Sequence, residues 1–121
     1  MSDFETVGRQ FCEHYYKVIS EDRPSLADLY TEDSMMTYEN EPFKGQESIM
    51  EKLGTLPAIR FEVITFDSQP TIGDGILCMI GGNLFIDQDS NPVKFAQTFH
   101  IQKGGNFGWY CHNDIFRLNY G

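Results

Sequence analysis

Over residues 94–101 the chain alternates strictly, with Phe95, Gln97, Phe99 and Ile101 on one side and Lys94, Ala96, Thr98 and His100 on the other. Period two with one largely apolar side predicts a half-buried β-strand. Apolar, β-prone runs lie on each side, at 76–86 and 107–118, and the connections at 87–92 and 103–106 are built of turn residues. Together these runs predict an antiparallel meander. From Ile59 onward, Ile59, Phe61, Val63 and Thr65 alternate against Arg60, Glu62, Ile64 and Phe66, which predicts one more strand ahead of a loop at 68–75. Gly81-Gly82 interrupts the 76–86 run and predicts a bulge or bend that curls the sheet.

The first half of the chain changes period. Ser2 and Glu5 have the spacing of a capping box, and Phe4, Val7, Phe11, Tyr15 and Val18 then recur every three or four residues, predicting a helix that runs to about Ile19. Gly8 on this helix invites a close packing contact. Pro24 opens a short second helix with Leu26, Leu29 and Tyr30 inward, Asp22 beside Arg23 holding the local turn. A short strand or edge segment follows at 35–40. A third helix then begins at Gly45-Gln46, with Ile49, Met50 and Leu53 inward, and closes at Gly54. Helices first and strands afterwards indicate an α+β domain over 1–121, a cone of N-terminal helices packed on a strongly bent antiparallel sheet. In the 76–86 run Cys78, Ile80, Leu84 and Ile86 share one face and Leu77, Met79 and Phe85 the other. Helices enough for one face leave the second uncovered, which predicts a homodimer through the sheet.

Charge narrows the partners. Eighteen acids against nine bases give a formal charge of −9, which repels nucleic acid and favours encounter with a basic protein surface. Cys12, Cys78 and Cys111 are odd in number and sit in apolar runs, so they are expected to be reduced core residues of an intracellular protein. No run approaches the length of a membrane span, and the acidic amphipathic start does not resemble a cleaved signal, so no membrane is expected.

Neither a P-loop nor a dinucleotide fingerprint occurs, and no cofactor is expected. Residues 87–91 imitate the opening of a calcium loop, but Pro92 replaces its glycine and Thr98 its closing glutamate, while His14, His100 and His112 lack a metal spacing. Neither a metal site nor a set of catalytic residues is assigned. The competing reading is an isomerase or dehydratase in which Asp114, raised in pKa by burial, acts as general base among His14, Tyr15, Tyr30, Tyr38 and His112. The alternative for Asp114 is a structural carboxylate paired with backbone amides or Arg117.

The segments TYENEPFKGQESIMEKLGTLP (37–57), GNLFIDQD (82–89), FAQTFHI (95–101) and NDIFRLNYG (113–121), with FETVGRQFCEHYY (4–16) and Asp22-Arg23, resemble the nuclear transport factor 2 family over essentially the whole chain. That resemblance implies a non-enzymatic homodimeric carrier that binds the GTPase Ran in its GDP form and the Phe-x-Phe-Gly repeats of FG-repeat nucleoporins, shuttling between cytoplasm and nucleus. It implies an acidic Ran-binding rim of Glu39, Asp87 and Asp89, a pocket of Tyr38, Leu56, Val93 and Ile115 for one aromatic side chain of Ran, and a repeat-binding role for Phe4. At the family's dimer contact it places Glu62, for which Arg60 is the nearest base in sequence. An adaptor subunit of the same fold with a different protein partner is the other alternative.

Overall fold

The structure is a computed structural model that describes residues 3–88 and 91–119. Helix α1 (Asp3–Glu21) is followed by a 3-10 helix (Arg23–Leu29), the strands β1 (Met35–Tyr38) and β2 (Glu41–Lys44), helix α2 (Gln46–Gly54), and the long strands β3 (Ile59–Pro70), β4 (Ile76–Ile86), β5 (Val93–Gly104) and β6 (Gly108–Asn119). The six strands form one sheet in the order β2-β1-β6-β5-β4-β3. Its four long strands are the expected meander. The Ser2 capping-box residue lies outside the described residues.

The helices cover one face only. Phe11, Tyr15, Ile19, Leu26, Leu29, Ile49 and Leu53 pack from the helical side onto Cys78, Ile80, Phe95, Phe99, Ile101 and Phe116 of the sheet. At Gly8 α1 approaches the sheet closely: a Cβ there would stand 3.0 Å from the Cys78 sulfur. All three cysteines are free and buried.

Several expectations are corrected. The strand or edge segment expected at 35–40 is a strand over 35–38 and not an edge: β1 lies between β2 and a parallel pairing with β6, which makes the sheet mixed rather than wholly antiparallel. The glycines at 81–82 do not carry the bulge. It sits opposite them in β3, where Val63 pairs with Gly82 and Thr65 with Gly81, leaving Ile64 as the extra residue. A Cβ at Gly82 would collide with the Glu62 carbonyl oxygen, so the missing side chain admits a bulge in the neighbouring strand. The bulge reverses parity. Ile59 and Phe61 point inward before it and Phe66 after it, whereas Thr65, grouped with the inward set by simple alternation, faces outward opposite Gly81; Val63 keeps the inward register opposite Gly82 but is exposed. The strand also runs on to Pro70, shortening the loop expected at 68–75.

A chain of buried hydrogen bonds crosses the helix–sheet boundary. Tyr16 donates to Gln97 Oε1, Gln97 Nε2 donates to Asp114 Oδ1, and Tyr30 donates to Asp114 Oδ2, each over 2.8 Å. With the Tyr30 proton so committed, the 2.8 Å contact between the Tyr15 and Tyr30 hydroxyls is a donation from Tyr15. Asp114 is paired neither with backbone amides nor with Arg117, which donates to Asn40 instead. Burial lifts the Asp114 carboxyl from its ordinary 3.8 to about 6, against the opposing pull of its bonds from Gln97 and Tyr30.

A raised carboxyl pKa means that the folded chain holds this proton more tightly than the unfolded one. The resulting stability is complete below about 3.8 and is lost as pH rises through about 6. In Asp114→Asn the network survives if the Gln97 amide turns over, and this titration disappears. Urea unfolding at pH 5 and pH 8 is therefore expected to show the native chain gaining roughly 1 to 1.5 kcal/mol on acidification relative to Asp114→Asn. Parallel pH dependences would contradict the assignment.

Candidate docking site at the mouth of the cone

One end of the sheet gathers the C-terminal ends of β1, β4 and β6 with the N-terminal ends of β3 and β5. Here the helical layer and the sheet enclose an apolar hollow. Ile19 of α1, Met36 and Tyr38 of β1, Leu56 after α2, Ile59 of β3 and Phe116 of β6 are among its walls, and the Tyr15 and Gln97 side chains reach it from the buried network. Only about 10 Å³ is open, on the order of one water molecule. Tyr38 lies flat against Phe116, ring centroids 4.8 Å apart and planes 13° apart, and the Lys52 ammonium stands over its ring at 5.3 Å. Lys52 is held there by Glu41 at 3.2 Å.

Arg23 fixes the lip of the hollow. Its guanidinium donates to the carbonyls of Leu53 and Leu56 through Nη1, at 3.2 and 2.6 Å, and to that of Pro57 through Nη2 at 2.6 Å. A cation here adds to the bond that the Leu53 carbonyl already accepts from the Leu56 amide and binds the carbonyls of Leu56 and Pro57 beyond the end of α2. Arg23 thus holds the stretch that presents Leu56. The sequence reading gave it only a local turn, whose bond comes instead from Ser25 to Asp22.

The acidic residues stand at the same end. Glu39 and Asn40 form the two-residue turn between β1 and β2, with φ of 50° and 75°, and Asp87 just after β4 has φ of 54°. All three adopt left-handed backbone that glycine normally takes. Neighbouring strands hold them there: the Glu39 amide donates to the Phe116 carbonyl, the Leu118 amide to Glu39 Oε1, and the Asp87 amide to the Ala58 carbonyl. Asp89 lies outside the described residues. Tyr38 and Leu56 line the hollow as expected. Val93 is at the same end of the sheet, opposite Leu84, but not among the lining residues. Ile115 must be corrected: it is 55% exposed on the outer face between Thr37 and Thr98, because its neighbours Asp114 and Phe116 point inward. Met36, Ile59 and Phe116 were missed, although strand parity alone would have chosen Phe116 over Ile115.

This geometry does not suit catalysis by Asp114. The carboxylate is 1% exposed and lies behind Gln97 and Tyr15 rather than in the hollow, and the open volume is far below the several hundred Å³ usual for substrate sites. His14 and His112 do not join Tyr15 and Tyr38 there. Among the described residues no group of three or more His, Cys, Asp or Glu side chains is placed to hold a metal ion. Phe4 sits in the first turn of α1, partly buried against the core. The outer face exposes Met35, Leu77, Met79 and Ile115. There Glu62 accepts from Asn83 over 2.8 Å, and Arg60, rather than pairing with Glu62, stacks over Phe85 at 4.1 Å.

Known proteins share both sequence and shape with this chain. The solved structure of nuclear transport factor 2 from Cryptosporidium parvum superposes with a TM-score of 0.90 at 39% identity, covering 96% of this chain and 94% of that one. A yeast deubiquitinase–cofactor complex matches with a TM-score of 0.83 at 22% identity over 97% of this chain and 98% of that one, a likeness of fold alone. Nuclear transport factor 2 of Candida glabrata is 44% identical over 121 residues, which is 98% of this chain and 96% of the relative. The family model for the nuclear transport factor 2 domain matches residues 7–118, and the chain therefore belongs to the nuclear transport factor 2 family.

Proposed function

We propose that this chain is a nuclear import carrier that binds Ran in its GDP form and returns it to the nucleus through FG-repeat nucleoporins, shuttling between cytoplasm and nucleus. The observation that carries the reading is the apolar hollow with Tyr38 and Leu56 at its walls and the acids Glu39 and Asp87 at the same end of the sheet. An aromatic side chain of Ran enters this hollow while basic side chains around it meet Glu39, Asp87 and Asp89. Because only about 10 Å³ is open beforehand, Tyr38 and Leu56 must shift as the ring enters. Desolvated charge pairs around a buried aromatic anchor are the usual makings of an interface hot spot.

Two copies pair through their outer sheet faces. Exposed Met79, Leu77 and Ile115 on a sheet whose helices all lie on the other side support this arrangement. Phe4, partly buried in the first turn, supplies an aromatic surface for Phe-x-Phe-Gly repeats.

Calorimetry against Ran loaded with GDP or GTP is expected to show binding to the GDP form only, weakened at least ten-fold by Glu39→Gln, whose carbonyl still accepts from Leu118. Equal binding of both nucleotide forms, or an unaffected Glu39→Gln, would overturn the proposal. Sedimentation equilibrium is expected to find a dimer that Met79→Glu converts to monomer, since the substitution sets two carboxylates into an apolar contact; a monomeric native chain would remove the pairing. For Phe4→Ala, retention on immobilised Phe-x-Phe-Gly peptide should fall while Ran affinity holds. Loss of both together would point to unravelling of the helix start instead.

A further inference from the structure

At the opposite end of the sheet from the mouth, where β5 turns into β6, a second concavity of about 360 Å³ opens between α1, the 3-10 helix and that turn. His14 and Val18 line it from α1, Asp22 and Asp28 from the 3-10 segment, and Asn106 and Phe107 from the turn. Phe107 is fixed in place. Its ring lies flat on the His14 imidazole, centroids 4.4 Å apart and planes 10° apart, and meets the Phe11 ring at 6.3 Å in an edge geometry. It is nevertheless 44% exposed. Asp22 accepts from the Ser25 hydroxyl, and Asp28 accepts from Asn106 Nδ2 over 3.3 Å. Among the described residues, no lysine or arginine reaches either carboxylate at ion-pair distance.

An exposed aromatic ring, stacked on His14, beside two carboxylates that no lysine or arginine pairs suits one ligand chemistry. A guanidinium is planar, stacks on aromatic rings and offers forked donors to carboxylates, while its methylene stem can lie along an apolar wall such as Val18. Asp22 and Asp28 are both exposed and can be reached from solvent. The charge of −9 draws basic segments toward this surface. We propose that the groove between α1 and the β5–β6 turn binds an arginine-bearing peptide segment of a partner protein, the guanidinium lying on Phe107 and paired with Asp22 and Asp28. This site is independent of the hollow at the mouth, with which it shares no lining residue.

The test is a titration of the 15N-labelled full chain, at physiological salt, with acetyl-Gly-Ser-Arg-Ser-Gly-amide and with the same peptide carrying citrulline or lysine in place of arginine. Saturable amide shifts are expected at Val18, Asp22, Asp28 and Phe107 with the arginine peptide, weaker with lysine and absent with citrulline. Phe107→Ala should weaken binding at least three-fold and Asp28→Asn at least five-fold. Both positions are exposed, and the same spectra report whether each variant is folded. No saturable shift at millimolar peptide, shifts scattered over the acidic surface or confined to the mouth, or equal binding of the citrulline peptide would overturn the proposal. Equal affinity for the lysine peptide would overturn the arginine assignment.

Discussion

The carboxylate of Asp114, accepting from Tyr30 on one oxygen and from Gln97 on the other, is the contact on which the cone depends. It ties the helical layer to β5 and β6 where no solvent reaches, and it draws Tyr15 and Tyr16 into the same chain of bonds. A buried charge without such partners would cost several kcal/mol. With them, the tyrosine hydroxyls and the Gln97 amide are fixed, and so is the floor of the hollow. Residues that look like an acid–base set in the sequence are spent on holding the structure.

The mouth is held by similar means at its surface. Arg23 binds the carbonyls after α2, and backbone hydrogen bonds to neighbouring segments hold Glu39 and Asp87 in the left-handed region that glycine favours. The acids are thereby fixed in position before any partner arrives. Preorganised charge beside an apolar recess lowers the ordering cost of association and suits a docking surface, whereas a nearly filled recess leaves no room for a substrate.

The sequence reading found what periodicity controls: the helices, the meander, and the inward set Phe95, Gln97, Phe99 and Ile101, all of which are buried. It failed where one residue changes parity. The extra Ile64 in β3 has no signature of its own, since the glycine that admits it lies in the next strand. The site was half readable. Tyr38 and Leu56, which the resemblance sets in the pocket, line the hollow, whereas Ile115, set there with them, lies on the outer face; Asp114 is placed in a hollow only by the competing enzyme reading. Adjacent residues of a strand face opposite sides, so a strand that turns Asp114 and Phe116 inward must turn Ile115 outward. The path of the Arg23 guanidinium arises from contacts between segments far apart in the chain, which no local pattern encodes.

In the proposed carrier a partner's ring enters the hollow rather than resting on the sheet's outer face. Methyl NMR of the 13C-labelled chain mixed with unlabelled Ran bound to GDP separates the two directly. Intermolecular contacts are expected from aromatic protons to the methyls of Met36, Leu56 and Ile59, with none to Ile115. Contacts to Ile115 with the hollow methyls unperturbed would contradict it.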